Sequence, residues 1–321
     1  MEIDKKKRLR MYKKILLIRE SEWQMTCLYK KGELDGHVLP CLGQEAIPAA
    51  FSEALDPEDL VLTGHRGGGH YIARGGDLKK LWAELYGKAA GILGGKGGQM
   101  HIADMNVKTI AGNAIVGANW VLGCGAGFAA KQNNGDTVAG VFGGEASTNR
   151  GTFHEALNMA SLKKLPVIFV VEFNGKQLWD NNQTVTAVSE LSDRAKGHDM
   201  PGLTCDGNDP DTIYSSAVGL IDLARKGEGP SLLVCKTFKW YDSGTNQRQT
   251  DEELAEGKKR FDPVKIYSEK LKNEGIITED DNKKLLNAAK KVVEEAIDFG
   301  KNSPLPNPGD SYTNIYSIER F

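Results

Sequence analysis

Two polar positions at the ends of apolar runs are best placed in this sequence to do chemistry. Val138-Ala139-Gly140-Val141-Phe142 leads into Gly143-Gly144-Glu145, and Leu165 to Val171 leads into Glu172-Phe173-Asn174-Gly175. Each run reads as a buried strand, and the stretch from Phe153 to Leu162 between them has helical spacing. Glu145 and Asn174 are 29 positions apart, room for one crossover helix. The two loops are therefore expected side by side at the carboxyl edge of a parallel sheet, where open α/β folds bind ligands. A carboxylate, a carboxamide oxygen and a loop carbonyl are hard donors, the set that Mg²⁺ accepts when a diphosphate supplies the rest of its shell. Loop glycines and helix-start amides would add an anion cradle. Taken singly, Glu145 reads as a loop acid and Asn174-Gly175 as a turn dipeptide.

The elements that must carry these loops follow from periodicity. Asp4 is expected to cap an amphipathic helix that carries Leu9, Tyr12, Ile15, Leu16 and Trp23 and ends near Gly32. Strand-like runs at Leu60-Val61-Leu62, Thr137 to Phe142, Pro166 to Val171 and Ser231 to Cys235 alternate with helical patterns at Leu78 to Tyr86, Gly117 to Lys131, Phe153 to Leu162 and Asp211 to Arg225. That order predicts an α/β fold, a doubly wound and mostly parallel sheet covered on both faces. After Phe261-Asp262-Pro263 the composition shifts to Lys and Glu, with helices expected over Val264 to Glu274 and Glu279 to Gly300 and a Pro-rich turn at Ser303-Pro304-Leu305-Pro306. We divide the chain into an N-terminal helix (1–35), a ligand-binding domain (36–263) and a helical C-terminal tail for packing and subunit contact (264–321).

Composition excludes several classes. The 321 residues include 41 Lys and Arg against 43 Asp and Glu, a net charge of −2, so a dedicated nucleic-acid binder is not expected. Five cysteines without C-x-x-C spacing indicate neither a disulfide framework nor a zinc site. No stretch approaches the length of a membrane span and no signal sequence is visible, so a cytoplasmic protein without membrane attachment is expected. The 37 glycines, about half as much again as the roughly 7% average, gather at 64–75, 91–98, 112–127 and 140–151.

Over nearly its whole length the sequence resembles the alpha subunit of the thiamine-diphosphate-dependent first component of 2-oxo acid and acetoin dehydrogenase complexes, with the acetoin branch nearest. The resemblance runs through Gly43-Gln44-Glu45-Ala46, Asp77-Leu78-Lys79-Lys80, Glu84-Leu85-Tyr86-Gly87-Lys88, Lys96-Gly97-Gly98-Gln99-Met100-His101, Phe153-His154-Glu155-Ala156-Leu157-Asn158, Lys164-Leu165-Pro166, Met200-Pro201-Gly202 and Asp206-Gly207-Asn208-Asp209. It implies a thiamine-diphosphate-binding fold with Mg²⁺ held by Glu145, Asn174 and the backbone carbonyl of Lys176. It implies further that His65 and Arg66 touch the diphosphate, that the Ala114 carbonyl and Val116 amide hold the aminopyrimidine, and that Gly144, Ala146 and Ser147 line the cofactor. A beta subunit would complete the active site in an alpha2beta2 heterotetramer, with a small-molecule substrate and a lipoyl acyltransferase as acyl acceptor.

Departures from the family pattern are specific. Glu145 stands where relatives have Asp, Gly68 where they have an active-site His, and Ser243 where they have a second His. His70, two residues after Gly68, is expected to substitute in part, and His101 is the other histidine expected to reach the site. The Trp179-Asp180 pair replaces small residues, and Cys124 reads as a packing residue. Three functions stay open on this reading. They are a dehydrogenase-type enzyme, a lipoyl-independent acyloin-transferring or decarboxylating relative, and a cofactor-defective subunit for assembly or regulation.

Overall fold

The computed structural model of the chain describes residues 3–133, 135–177, 180, 181, 185–242, 246 and 249–314. Six strands form one sheet: β1 (Leu60–Thr63), β2 (Thr109–Gly112), β3 (Ala139–Gly144), β4 (Val167–Phe173), β5 (Gly202–Asp206) and β6 (Ser231–Lys236). Their order is β2-β1-β3-β4-β6-β5, and every pairing is parallel. A small antiparallel ribbon joins Lys176–Gln177 to Asp180–Asn181.

Each inner strand is apolar on both faces, because helices cover both. Along β4, Val167, Phe169 and Val171 pack with Trp120, Phe153 and Leu157 of α5 (Ala118–Gln132) and α6 (Gly151–Leu162). The alternate residues Ile168 and Val170 pack on the other side, in the cluster that holds Ile15 and Ile18 of α1 (Lys5–Lys30), Phe51 of α2 (Ala46–Ala54) and Ile213 of α7 (Pro210–Arg225). Helix α5 can lie close on the sheet because it presents glycines there. A Cβ at Gly123 or Gly127 would stand 2.3 Å from a methyl of Val141 or Val167.

Two expectations need correction. Helix α1 begins at Lys5 as its periodicity predicts, but the Asp4 side chain makes no capping bond; only the Asp4 carbonyl takes part, accepting from the Arg8 N–H. Strands β2 and β5 carry no clear signal in the sequence, being short edge strands with polar or small residues among the apolar ones. The tail forms α9 (Pro263–Asn273) and α10 (Glu279–Asn302), the latter opened by a Thr278/Asp281 capping box. Helix α8 (Asp251–Phe261) precedes them.

The glycine cluster at 91–98 has a structural explanation. Glu84, on α4 (Leu78–Leu85) and 1% exposed, accepts from the backbone N–H groups of Leu93 (2.8 Å), Gly95 (2.9 Å), Gly97 (2.7 Å) and Gly98 (3.1 Å). Four donors converging on one buried carboxylate hold the loop in place. Glu84→Gln presents an amide to two of those donors and is expected to cost about 2–4 kcal/mol in urea denaturation. It should also speed hydrogen exchange at the same four amides, and unchanged exchange there would show that the loop is anchored elsewhere.

Candidate active site

A cavity of about 380 Å³ opens at the carboxyl edge of the sheet, between the loops that follow β1, β3, β4 and β6. Register brings its polar groups together. Gly144 pairs with Glu172 across β3 and β4, so Glu145 and Asn174 emerge just beyond the edge. The Asn174 backbone N–H donates to Glu145 Oε1 at 3.2 Å and its Nδ2 donates to Oε2 at 3.3 Å. The Glu145 carboxylate is 1% exposed. It sits at the start of a 3₁₀ turn, Glu145–Asn149, in which Ser147 Oγ donates to the Gly144 carbonyl and Thr148 Oγ1 to the Glu145 carbonyl. Trp120 Nε1 in turn donates to Ser147 Oγ, fixing the turn against α5.

The opposite wall carries cations. Arg66 donates through Nη1 to the Pro40 carbonyl (3.0 Å) and through Nη2 to the Asp242 carbonyl (2.7 Å). Burial pushes its pKa below the usual arginine range, partly offset by Asp242, but a guanidinium stays charged regardless. Lys239 pairs with Asp242 at 2.7 Å, and burial together with Arg66 holds its pKa down. His65 is pushed to about 4 by burial, with Arg66 and Lys239 adding to the effect, so it is a neutral imidazole at physiological pH.

His65, Arg66, Val116, Gly144, Glu145, Ala146, Ser147 and Asn174 all line this cavity. Ala114 does not, although its neighbours Asn113, Ile115 and Val116 do. The loop is shaped by Asn113 Oδ1 accepting from the Ile115 N–H and by Gly117, whose φ of +90° suits glycine. The Lys176 backbone opens the small ribbon, and its side chain lies outside the described residues, as do Trp179, Ser243 and Gly244.

The histidines divide. His70, on α3 (Gly68–Ala73), lines the cavity and stands 3.2 Å from Glu172. It does not take the place of a side chain at 68. Two helical residues are about 200° apart, and a Cβ on Gly68 would meet Glu22 Oε1 of α1 at 2.6 Å, behind the cavity rather than in it. His101 is exposed and does not line the cavity; its 3₁₀ turn gives its inner face to Gln99, which exchanges hydrogen bonds with the Leu39 backbone. Cys124 is a buried packing residue whose Sγ donates to the Ala156 carbonyl.

The sequence reading passed over Glu172, Lys239, Asp242 and Gln44 as site residues, yet all four line the cavity. Period-two alternation was the available signal for Glu172, two residues before Asn174 on the same strand face. Lys239 opens the loop in which Ser243 departs from the family pattern.

A family model described as "Dehydrogenase E1 component" matches residues 13–309. The chain is 36% identical over 322 residues to the alpha subunit of the acetoin:2,6-dichlorophenolindophenol oxidoreductase of Bacillus subtilis (strain 168), covering 98% of this chain and 95% of that one. It is 35% identical to the protein of the same name from Cupriavidus necator, covering 98% and 95%. To the pyruvate dehydrogenase E1 component subunit alpha of Zymomonas mobilis it is 37% identical, covering 97% and 89%.

Glu22 supplies a measurable electrostatic signature of this architecture. Burial raises its pKa from 4.5 to about 7, against the lowering effect of the Cys41 N–H that it accepts; Glu45 adds to the rise, and Arg66 opposes it. Between those two pH values the native state holds a proton that the unfolded chain has lost, so stability falls as pH rises through the window. His65 works in the opposite sense. The unfolded imidazole takes a proton near 6.5 while the native one stays neutral to about 4, so stability falls as pH drops between them. The stability of Glu22→Gln relative to the parent is therefore expected to climb by on the order of 1–3 kcal/mol from about pH 5 to pH 7. A pH-independent difference in urea denaturation would show that Glu22 titrates normally.

Proposed function

The chain belongs to the dehydrogenase E1 component family, and from that premise we propose that it is the alpha subunit of a thiamine-diphosphate-dependent enzyme. Acting with a beta subunit, it cleaves the C–C bond next to the carbonyl of a 2-oxo acid or an acyloin and passes the acyl unit on. The observation that carries this reading is the meeting of Glu145 and Asn174 in one cavity with the half-buried Arg66.

The donor set fits a metal diphosphate. A buried carboxylate touches a carboxamide across a strand edge, with the Lys176 carbonyl following, and these are the hard oxygens that Mg²⁺ takes. Asn174 presents Nδ2 to Glu145 Oε2 at 3.3 Å, and a half-turn of the amide would bring Oδ1, the atom that can ligate Mg²⁺, to that side. Arg66 and neutral His65 face the diphosphate, and the backbone of Gly144, Ala146 and Ser147 lines it. Two of the five Arg66 donors are committed to backbone carbonyls, which orients the planar fork before any ligand arrives. The loop that carries Ala114 and Val116 would hold the aminopyrimidine, Val116 being the one of the two that lines the cavity.

Bound thiamine diphosphate supplies the electron sink for breaking a bond beside a carbonyl. This chain's residues anchor its charged end and keep water from it. Ile115 and Val116 are 68% and 48% exposed, and this apolar rim is where the beta subunit completes the site in an alpha2beta2 assembly. The acyl acceptor is a lipoyl acyltransferase on the dehydrogenase reading. Gly68 and Ser243, which stand where the resemblance places histidines, favour a lipoyl-independent acceptor as the second reading. Five free cysteines suit a reducing, cytoplasmic setting.

Titration calorimetry of the co-expressed alpha and beta chains with thiamine diphosphate is the direct test. Binding is expected to require Mg²⁺, to disappear with a chelator, and to weaken roughly 30- to 100-fold in Arg66→Gln, the cost of losing a charge-assisted fork. No binding by the parent complex would favour an assembly subunit without cofactor.

A further inference from the structure

Several buried polar atoms in the cavity have no hydrogen-bond partner among the described residues. They are both ring nitrogens of His70, Oε1 of Glu172, Oε1 of Gln44 and Oδ1 of Asn119. His70 is 3% exposed and packs edge-on against Phe142, with ring centroids 4.3 Å apart; Glu172 is 8% exposed at the end of β4. His70 Nε2 and Glu172 Oε1 approach to 3.2 Å, but not in hydrogen-bond alignment. Asn119 is half used, its Nδ2 donating to the Phe142 carbonyl. An unsatisfied buried polar atom is costly, so this many on the residues that line one cavity mark a place built to receive a polar group. None of the four residues belongs to the set assigned above to the diphosphate, the metal or the aminopyrimidine.

The donor and acceptor pattern narrows what that group is. Glu172 Oε1 only accepts, while the imidazole of His70 offers one donor and one acceptor when neutral. A group that satisfies both must donate as well as accept, as a hydroxyl does. The carboxylate of a 2-oxo acid only accepts, and would meet Glu172 acceptor to acceptor. We propose that His70 and Glu172 form a specificity subsite for the hydroxyl of an acyloin, and that they select a hydroxyketone over a 2-oxo acid. Gln44 and Asn119 border the subsite and supply further acceptors. This inference rests on the reading that the cavity serves a thiamine-diphosphate enzyme.

The test uses the co-expressed alpha and beta complex with thiamine diphosphate and Mg²⁺, and compares kcat/KM for acetoin and for pyruvate with 2,6-dichlorophenolindophenol as electron acceptor. The parent is expected to prefer acetoin. His70→Phe, which keeps the ring volume without its nitrogens, should lower the acetoin-to-pyruvate ratio about tenfold. His70→Gln, which can still donate and accept, should retain more of the ratio, and Glu172→Gln should also lower it. Thiamine-diphosphate affinity should stay within about twofold in both His70 variants. A parent that prefers pyruvate, or a ratio unmoved in His70→Phe and Glu172→Gln while both substrates turn over, overturns the inference and leaves the cofactor reading standing. A complex that binds no thiamine diphosphate overturns both.

Discussion

One half-buried guanidinium ties the site together. Arg66 donates to the carbonyls of Pro40 and Asp242, and so joins the segment before α2, the loop after β1 and the loop after β6. Two carbonyls in different segments can be spanned by a planar fork, whereas a lysine ammonium on the same backbone is a point charge without fixed directions. The consequences spread through the electrostatics. His65 loses its proton chiefly to burial and further to Arg66 and Lys239 nearby, so the wall presents two cations and one neutral ring. Asp242 answers both cations, through its carboxylate to Lys239 and its carbonyl to Arg66. The same loop is pinned by Trp240, whose ring is approached by Arg19 and Lys258 at 4.2 and 4.6 Å and whose backbone N–H donates to the Leu42 carbonyl.

The facing wall depends on register. With Gly144 opposite Glu172, the next residues of β3 and β4 leave the sheet at the same level, and a one-residue slip would turn Glu172 and Asn174 away together. That constraint also positions Glu145. The residue opens a 3₁₀ turn tied down by Ser147 and Thr148, and its side chain carries the carboxylate across to the Asn174 backbone N–H. The side chain is thus held by a hydrogen bond to the neighbouring strand's own loop.

What the sequence made legible follows the physics of burial. Strands β3, β4 and β6 are covered on both faces and read as continuous apolar runs, so they and the order of their crossovers stand out. The edge strands do not: Thr109–Gly112 and Gly202–Asp206 mix glycine and polar residues because each has only one neighbour and less to bury. Helix α3 was hidden by the two glycines that open it, and α2 by Pro48. In the site, Glu145 and Asn174 were legible because they end strands. Lys239, Asp242 and Gln44 were not, since each is an ordinary residue until tertiary contacts bring Thr237 Oγ1 against the Gly43 carbonyl and the Trp240 N–H against Leu42. His101 misled for the converse reason: its place beside a glycine-rich turn says nothing about which way the turn faces, and Gln99 decides that.

The glycine at 68 and the histidine at 70 are therefore separate features of α3. Position 68 looks toward α1, where Glu22 fills the space a side chain would need, and position 70 looks toward the sheet edge, where Phe142 and Glu172 receive the ring. Helical geometry keeps the two from exchanging roles. Moving an imidazole from one to the other would shift it from the α1 side of the helix to the end of β4, changing its neighbours from a carboxyl that accepts the Cys41 N–H to one left without a hydrogen-bond partner among the described residues. A histidine in the first setting would lie against Glu22, behind the cavity. In the second it stands against a carboxylate that needs a donor, and this puts the chain's distinctive chemistry at the end of β4, next to the loop that carries Asn174.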